Sequence, residues 1–146
     1  MKLGNNFSLA ELTKSETAER LRVPNIPNAK EIENLKGLVK NILQPFRDYI
    51  KHPITISSGF RSKELNKAIP GSALKSAHSY GYAADLKIPA YGDPKKVATE
   101  LLFFLKSNKI PFDQLILEYN SWSIRSSLWK NHATPREALC SIHQSS

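Results

Sequence analysis

The sequence of 146 residues lacks the features that mark disulfide-stabilised or membrane-spanning proteins. Cys140 is its only cysteine, which excludes an intrachain disulfide. No run approaches the roughly 18 apolar residues that a membrane span needs. The polar residues 1–6 contain no apolar signal core, so we expect no signal peptide and synthesis in the cytoplasm. The length predicts a single domain over residues 1–146.

Acidic residues are also scarce relative to basic ones, 13 against 21, which gives a net charge of +8. Such a charge attracts polyanions, including nucleic acid, anionic membranes and cell-wall polymers. The basic residues are scattered along the chain, and we find no helix-turn-helix, zinc-finger or RNA-recognition motif. We therefore expect no nucleic-acid partner, although the charge alone does not identify the partner.

Helix signals dominate the first fifty residues and return near residue 93. Ser8 and Asn28 each precede a glutamate by three residues, which is the spacing of a capping box. Asn28 would start a long amphipathic helix that Pro45 kinks or interrupts, and Asp93 followed by Pro94 would start another helix. The apolar positions of the long helix recur at three- and four-residue steps: Ile32, Leu35, Val39, Ile42, Phe46 and Tyr49.

Strand signals lie between and after these helices. The predicted strands are residues 53–57, 83–88, 114–118 and 122–126, the last two joined by a tight turn. Helices come first along the chain, and the strands are then interrupted by helices. This order predicts an α+β domain with a small, mainly antiparallel sheet flanked by helices.

The most informative segment, residues 76–85, reads Ser-Ala-His-Ser-Tyr-Gly-Tyr-Ala-Ala-Asp. His78 would lie on a loop and Asp85 on the following strand, and Gly81 between them permits the sharp turn that lets the two side chains converge. Imidazole nitrogen and carboxylate oxygen are both good zinc ligands. On spacing alone, a hydrogen bond between a loop histidine and a strand aspartate is the simpler interpretation.

The same segment resembles the motif Ser-x-His-x-x-Gly-x-Ala-x-Asp of the zinc D-Ala-D-Ala metallopeptidases. Upstream, residues 56–62 resemble the family's Ser-Gly-Tyr-Arg-Ser segment, with phenylalanine in place of tyrosine. Downstream, residues 112–118 and Trp122 resemble the segment that precedes the last zinc ligand. The resemblance is to the phage and bacterial branch of the family and covers residues 7–139. It implies a fold like that of the hedgehog and D,D-peptidase domains.

The resemblance also implies roles for the matched residues at the reacting centre. His78 and Asp85 would bind one zinc ion. Glu118 would be the general base that takes a proton from the zinc-bound water, whose pKa the metal lowers. Arg61 would face the scissile carbonyl and stabilise the oxyanion. On the substrate side, Ser76 and Tyr82 would line the groove, with Ser76 helping to hold the terminal carboxylate of the peptide.

The resemblance breaks at the third zinc ligand, a histidine two residues after the family's tryptophan. Ile124 occupies that position, and the adjacent Arg125 would repel a cation. Two ligands are fewer than the three that a catalytic zinc usually takes. Three explanations stay open: a relative that has lost tight metal binding, a substitute ligand from His132 or His143, or a local frameshift over residues 123–134. We therefore expect weak zinc binding.

The implied function is that of a zinc-dependent D,D-carboxypeptidase or endopeptidase that hydrolyses D-amino-acid-containing peptides of peptidoglycan. The replacement at Ile124 puts the hydrolytic activity in question. The alternative is a catalytically inactive, peptidoglycan-binding relative of the same family. A phage protein of this kind would reach the cell wall through lysis of the host or as part of a virion.

Overall fold

The computed structural model describes residues 1–71, 75–118 and 121–126. Six α-helices lie in this part of the chain: α1 (Leu9–Thr13), α2 (Glu16–Leu21), α3 (Ala29–Leu38), α4 (Gln44–Ile50), α5 (Lys63–Ala68) and α6 (Pro94–Ser107). Its strands are β1 (Lys2–Gly4), β2 (Phe7–Ser8), β3 (Thr55–Ser58), β4 (Ala83–Lys87), β5 (Phe112–Glu118) and β6 (Ser121–Ser126). No helix among the described residues is long and apolar enough to cross a bilayer.

The predicted helix starts are confirmed by their caps. The Ser8 side chain accepts a hydrogen bond from the backbone N–H of Glu11 at the start of α1. Asn28 and Glu31 form the complete capping box of α3, with both reciprocal bonds at 2.8 Å. The Asp93 carboxylate accepts from the Lys96 N–H at the start of α6. Each cap satisfies backbone donors that have no partner within the helix.

The long helix predicted from Asn28 onward is interrupted at the position expected from Pro45. A π-helical turn, Val39–Leu43, joins α3 to α4. Proline has no N–H to donate to the carbonyl four residues earlier, and its ring would clash with that carbonyl. A wider turn relieves the clash, so the helix continues with a local expansion instead of ending.

The strands confirm the predicted α+β class. In the described part of the chain, four strands form an antiparallel sheet in the order β3-β4-β6-β5. A separate two-stranded sheet pairs β1 with β2. This N-terminal pair was not predicted from the sequence, because strands of three and two residues are too short to show alternation.

The sheet has one buried face, and strand register decides which residues lie on it. Ala84, Ile124 and Leu115 are paired across β4, β6 and β5, and all three are fully buried. They pack in one cluster with the helices, whose contributions include Leu35, Leu38, Ile42, Phe46, Val97, Leu101 and Leu105. One residue further along, Asp85 pairs with Ser123, and these partly exposed residues belong to the opposite face.

Gly59, directly after β3, is the point where the sheet and α1 come closest. A Cβ atom added at Gly59 would lie 2.3 Å from the carbonyl oxygen of Leu12. The neighbouring Phe60 N–H donates to that same oxygen at 2.7 Å. Only glycine permits this approach without a backbone shift, and the approach ties the N-terminal helices to the segment that follows β3.

Two glycine-to-alanine changes test this contact. Gly59→Ala should lower the free energy of unfolding by about 1–3 kcal/mol, because the added methyl group meets backbone. Gly37→Ala in α3 is the matched control: its nearest neighbour would be Asn41 Nδ2 at 3.9 Å. It should raise stability by up to about 1 kcal/mol. Urea denaturation measures both, and equal stability of the two variants would contradict the close approach.

Candidate functional site

Between α5 and β4, residues Ala77–Tyr80 form a short 3₁₀ helix where the sequence predicted a loop. Ser76 caps it by accepting from the His78 N–H at 3.2 Å. Gly81 ends it with a φ of 83°, and a Cβ there would lie 2.7 Å from the Glu31 carbonyl oxygen. Asn34 of α3 donates to the Tyr80 carbonyl at 2.7 Å. The segment is therefore held tightly against α3.

His78 is 8% exposed, and both of its ring nitrogens have a partner. Nδ1 lies 2.8 Å from the carbonyl oxygen of Gly59. Nε2 lies 3.3 Å from Oδ1 of Asp85 on β4. A carbonyl oxygen can only accept, so Nδ1 carries a proton, and in the neutral ring the Nε2 lone pair then faces the carboxylate. The structure thus brings His78 and Asp85 together, as the sequence predicted.

Two acceptors that face each other need a positive charge between them. A proton on Nε2 meets this need, and so does a metal ion. Two zinc bonds of about 2.0–2.2 Å at a tetrahedral angle place their donor atoms about 3.4 Å apart, close to the 3.3 Å between Nε2 and Oδ1. The hydrogen bond from Nδ1 to Gly59 is also the kind of outer contact that orients a metal-binding histidine. The pair fits zinc in donor type, spacing and orientation.

Arg61 lies beside this pair and is partly buried. Its Nη2 donates to the Ser76 hydroxyl at 3.3 Å, and its backbone N–H donates to the His78 carbonyl at 3.1 Å. Burial lowers the pKa of the Arg61 guanidinium, and the charge of Asp85 acts in the opposite direction. Among the described residues, Nε of Arg61 is buried without a hydrogen-bond partner. The guanidinium therefore retains an unused donor.

The remaining predicted site residues are Tyr82, which is buried, and Glu118, of which only the backbone is described. Tyr82 is 8% exposed and packs with Tyr80, Ala77 and Ala83, so its ring contributes to a small apolar cluster. The backbone of Glu118 ends β5 opposite Ser121. The side chain of Glu118 lies outside what the structure describes, as do both substitute ligands considered above, His132 and His143.

Ile124 lies in the core, with 0% exposure, and is paired with Ala84 and Leu115. Because side chains alternate along a strand, it belongs to the face opposite Asp85. The residue paired with Asp85 is Ser123. The guanidinium of Arg125 is hydrogen-bonded to the buried Asp113 carboxylate, so the repulsion expected from Arg125 is largely compensated.

The described residues supply an incomplete ligand set. Over residues 1–71, 75–118 and 121–126, no group of three or more histidine, cysteine, aspartate or glutamate side chains could hold a metal ion. His78 and Asp85 bring two donor groups together, one fewer than the three protein ligands that a catalytic zinc site usually takes.

Two features of the site had no signal in the sequence. The partner of His78 Nδ1 is the backbone carbonyl of Gly59, 19 residues earlier in the chain. Because every residue has a backbone carbonyl, the sequence does not indicate which one His78 contacts. The position of Ser123 opposite Asp85 depends on strand register. The motif around Gly59 was matched in the sequence, but its contact with His78 required the folded chain.

An α+β domain in which an imidazole and a carboxylate lie beside a partly buried arginine is compatible with a peptidase-type domain. The sequence profile of the Peptidase M15 family matches residues 5–123, more than half of the chain. The chain therefore belongs to this family of zinc D-Ala-D-Ala metallopeptidases. A comparison with curated proteins gave no match. The matched region ends at Ser123, one residue before Ile124.

The strand register predicts which residue of β6 can complete the metal site. Ser123→His should tighten zinc binding at least tenfold, because position 123 is paired with Asp85. Ile124→His should leave zinc affinity unchanged and destabilise the fold, because it places a polar ring in the core. Isothermal titration with zinc measures the affinities, and thermal melting the stabilities. Tighter binding by Ile124→His alone would favour the position given by the sequence resemblance.

Proposed function

We propose that this chain is a peptidase-type domain that acts on D-amino-acid-containing peptides of peptidoglycan, with a zinc ion held weakly by His78 and Asp85. The observation that carries the proposal is the 3.3 Å approach of His78 Nε2 to Asp85 Oδ1, next to a guanidinium with an unused buried donor. The net charge of +8 suits an anionic cell wall. We further propose that residues 1–146 act as one domain.

In this proposal, the substrate is bound through its oxygen atoms. The Arg61 guanidinium, already oriented by the Ser76 hydroxyl, would donate from Nη2 to a peptide carbonyl or terminal carboxylate. Its partial burial strengthens such a bond, because water competes less in a low-dielectric setting. Ser76 would share the substrate carboxylate, and Tyr82 would support the wall of the groove.

Hydrolysis would require a proton acceptor, and we assign this role to Glu118 on the basis of the family resemblance. Asp85, Ser123 and Ile116 are paired across β4, β6 and β5. Glu118 follows Ile116 by two residues along β5, so the alternation of side chains assigns it to the same face of the sheet. A bound zinc supplies Lewis acidity and lowers the pKa of a coordinated water. Glu118 would accept the proton, and Arg61 would stabilise the negative charge that develops on the carbonyl oxygen.

A second candidate function is a non-catalytic module that binds the same peptides. The observation in its favour is the set of only two ligands in the described part of the chain. A fold can be kept while its chemistry is lost, so membership of the family does not by itself decide between the two functions. Both functions use Arg61 and Ser76, and they differ in whether the peptide bond is cleaved.

Zinc binding should be weak and should depend on His78. After dialysis against zinc and then against buffer, the purified chain should retain well under one equivalent of metal, because three ligands are the usual minimum. His78→Ala should abolish even weak binding. His52→Ala is the matched control, since the His52 ring packs at a tilt against Tyr91, whereas the imidazole paired with Asp85 is that of His78. Elemental analysis gives the metal content. A stoichiometric, slowly exchanging zinc would contradict the prediction and direct attention to His132 and His143.

Peptidoglycan digestion separates the two candidate functions. If the chain is a hydrolase, zymograms should show cleared bands that disappear with a chelator, and Glu118→Gln should lower the rate by a factor of about 100 or more. Arg61→Ala should weaken both cleavage and peptide binding. Arg20→Ala is the control, because Arg20 is exposed on α2 and its loss changes the net charge equally. Binding without cleavage would favour the non-catalytic module, and neither binding nor cleavage would contradict both functions.

A further inference from the structure

The segment that carries Arg61 has no regular secondary structure of its own. Residues 59–62 lie between the end of β3 and the start of α5. Their backbone is therefore fixed by individual contacts: Phe60 N–H to the Leu12 carbonyl, and Arg61 N–H to the His78 carbonyl. These two bonds engage the backbone N–H groups of Phe60 and Arg61. Two further backbone groups flank Arg61 directly: the carbonyl of Phe60 and the N–H of Ser62.

The side chain of Asn25 makes both of those remaining contacts. Its Nδ2 donates to the carbonyl of Phe60 at 3.0 Å, and its Oδ1 accepts from the N–H of Ser62 at 2.7 Å. The same Nδ2 donates to the carbonyl of Thr13, the last residue of α1, at 2.7 Å. Asn25 thus holds the chain on both sides of Arg61 and connects it to the N-terminal helices.

The chemistry of these three bonds selects asparagine. One amide group supplies two donors and one acceptor, which matches two carbonyls and one N–H. Aspartate would set a carboxylate oxygen against the Thr13 and Phe60 carbonyls, which have no proton to donate. Alanine would leave two carbonyls and one N–H without these partners, and each such loss weakens a partly buried backbone. One more hydrogen bond joins the same two segments: the Ser62 hydroxyl donates to the carbonyl of Pro24, the residue before Asn25, at 2.8 Å.

We propose that Asn25 is a positioning residue for Arg61, a role that rests on the proposed function. Asn25 acts through the backbone of residues 60–62 and sets the direction from which the guanidinium meets Ser76 and the substrate oxygen. Without Asn25, the guanidinium samples other directions, and the peptide loses a pre-oriented donor. The segment that contains Asn25 thereby becomes part of the substrate site, although it lies far from the His78 motif in the sequence.

A double-mutant cycle distinguishes positioning from general stabilisation. The variants are Asn25→Ala, Arg61→Ala and the double variant, and the probe is a short peptide that ends in D-Ala-D-Ala, titrated with and without zinc. Asn25→Ala should weaken binding on the order of tenfold, comparable to the loss of one or two hydrogen bonds. In the Arg61→Ala background it should weaken binding hardly further, because its effect passes through Arg61. Full additivity of the two changes would overturn the proposal.

Asn108→Ala is the matched control for stability. The Asn108 side chain likewise donates to a backbone carbonyl, that of Phe104, but at the end of α6. This variant should lower the melting temperature without changing the affinity for the peptide. Asn25→Ala should change the affinity at temperatures where circular dichroism shows both variants fully folded. Equal peptide affinities of the two variants under these conditions would overturn the positioning role.

A ligand-free measurement separates this inference from the proposed function. The Nε–H group of Arg61 gives a ¹⁵N–¹H resonance that can be assigned by its absence in Arg61→Ala. Asn25→Ala should shift this resonance and accelerate its exchange with water, and Asn108→Ala should leave it unchanged. If the resonance responds and no peptide binds, positioning is supported and the proposed function fails. If peptide binding depends on Arg61 and the resonance does not respond, the inference about Asn25 fails and the proposed function stands.

Discussion

The hydrogen bond between His78 Nδ1 and the Gly59 carbonyl is the contact on which the site depends. It assigns the proton to Nδ1 and directs Nε2 at the Asp85 carboxylate. The bond forms only because the chain after β3 approaches the 3₁₀ helix closely. That approach in turn requires a residue without a side chain at position 59, where α1 leaves no room for a Cβ. The packing of an N-terminal helix thus bears on the orientation of a histidine 66 residues after Leu12 in the chain.

The site is built from backbone contacts more than from side-chain pairs. Gly59 orients His78, the His78 carbonyl accepts from Arg61, and Asn25 holds the residues on either side of Arg61. Such a frame tolerates the loss of a metal ligand, since none of these bonds uses the metal. The arrangement of His78, Asp85 and Arg61 in this chain of the M15 family therefore does not depend on a complete set of metal ligands among the described residues.

The elements of the fold were largely predictable because their signals are local. The caps at Ser8 and Asn28 were predicted from a glutamate three positions later and the cap at Asp93 from the proline that follows it, and all three are present in the structure. Pro45 was expected to interrupt the long helix, but the form of the interruption, a π-helical turn, depends on how α3 and α4 pack against the core. The β1–β2 pair was not predicted, because five strand residues in total are too few to show an alternation of apolar and polar side chains.

The sequence by itself determined the class of the fold, the family, and the segment that carries both His78 and Asp85, since a short motif with a glycine turn is a local signal. Only the tertiary structure decided which face of β6 meets Asp85. A shift of one residue exchanges the two faces of a strand, and the burial of Ile124 in the core selects the register that turns Ser123 toward the site. The contacts around Arg61 were likewise decided by folding. Asn25 lies 36 residues before Arg61 and binds the backbone of the two residues that flank it, and the sequence does not distinguish one backbone group from another.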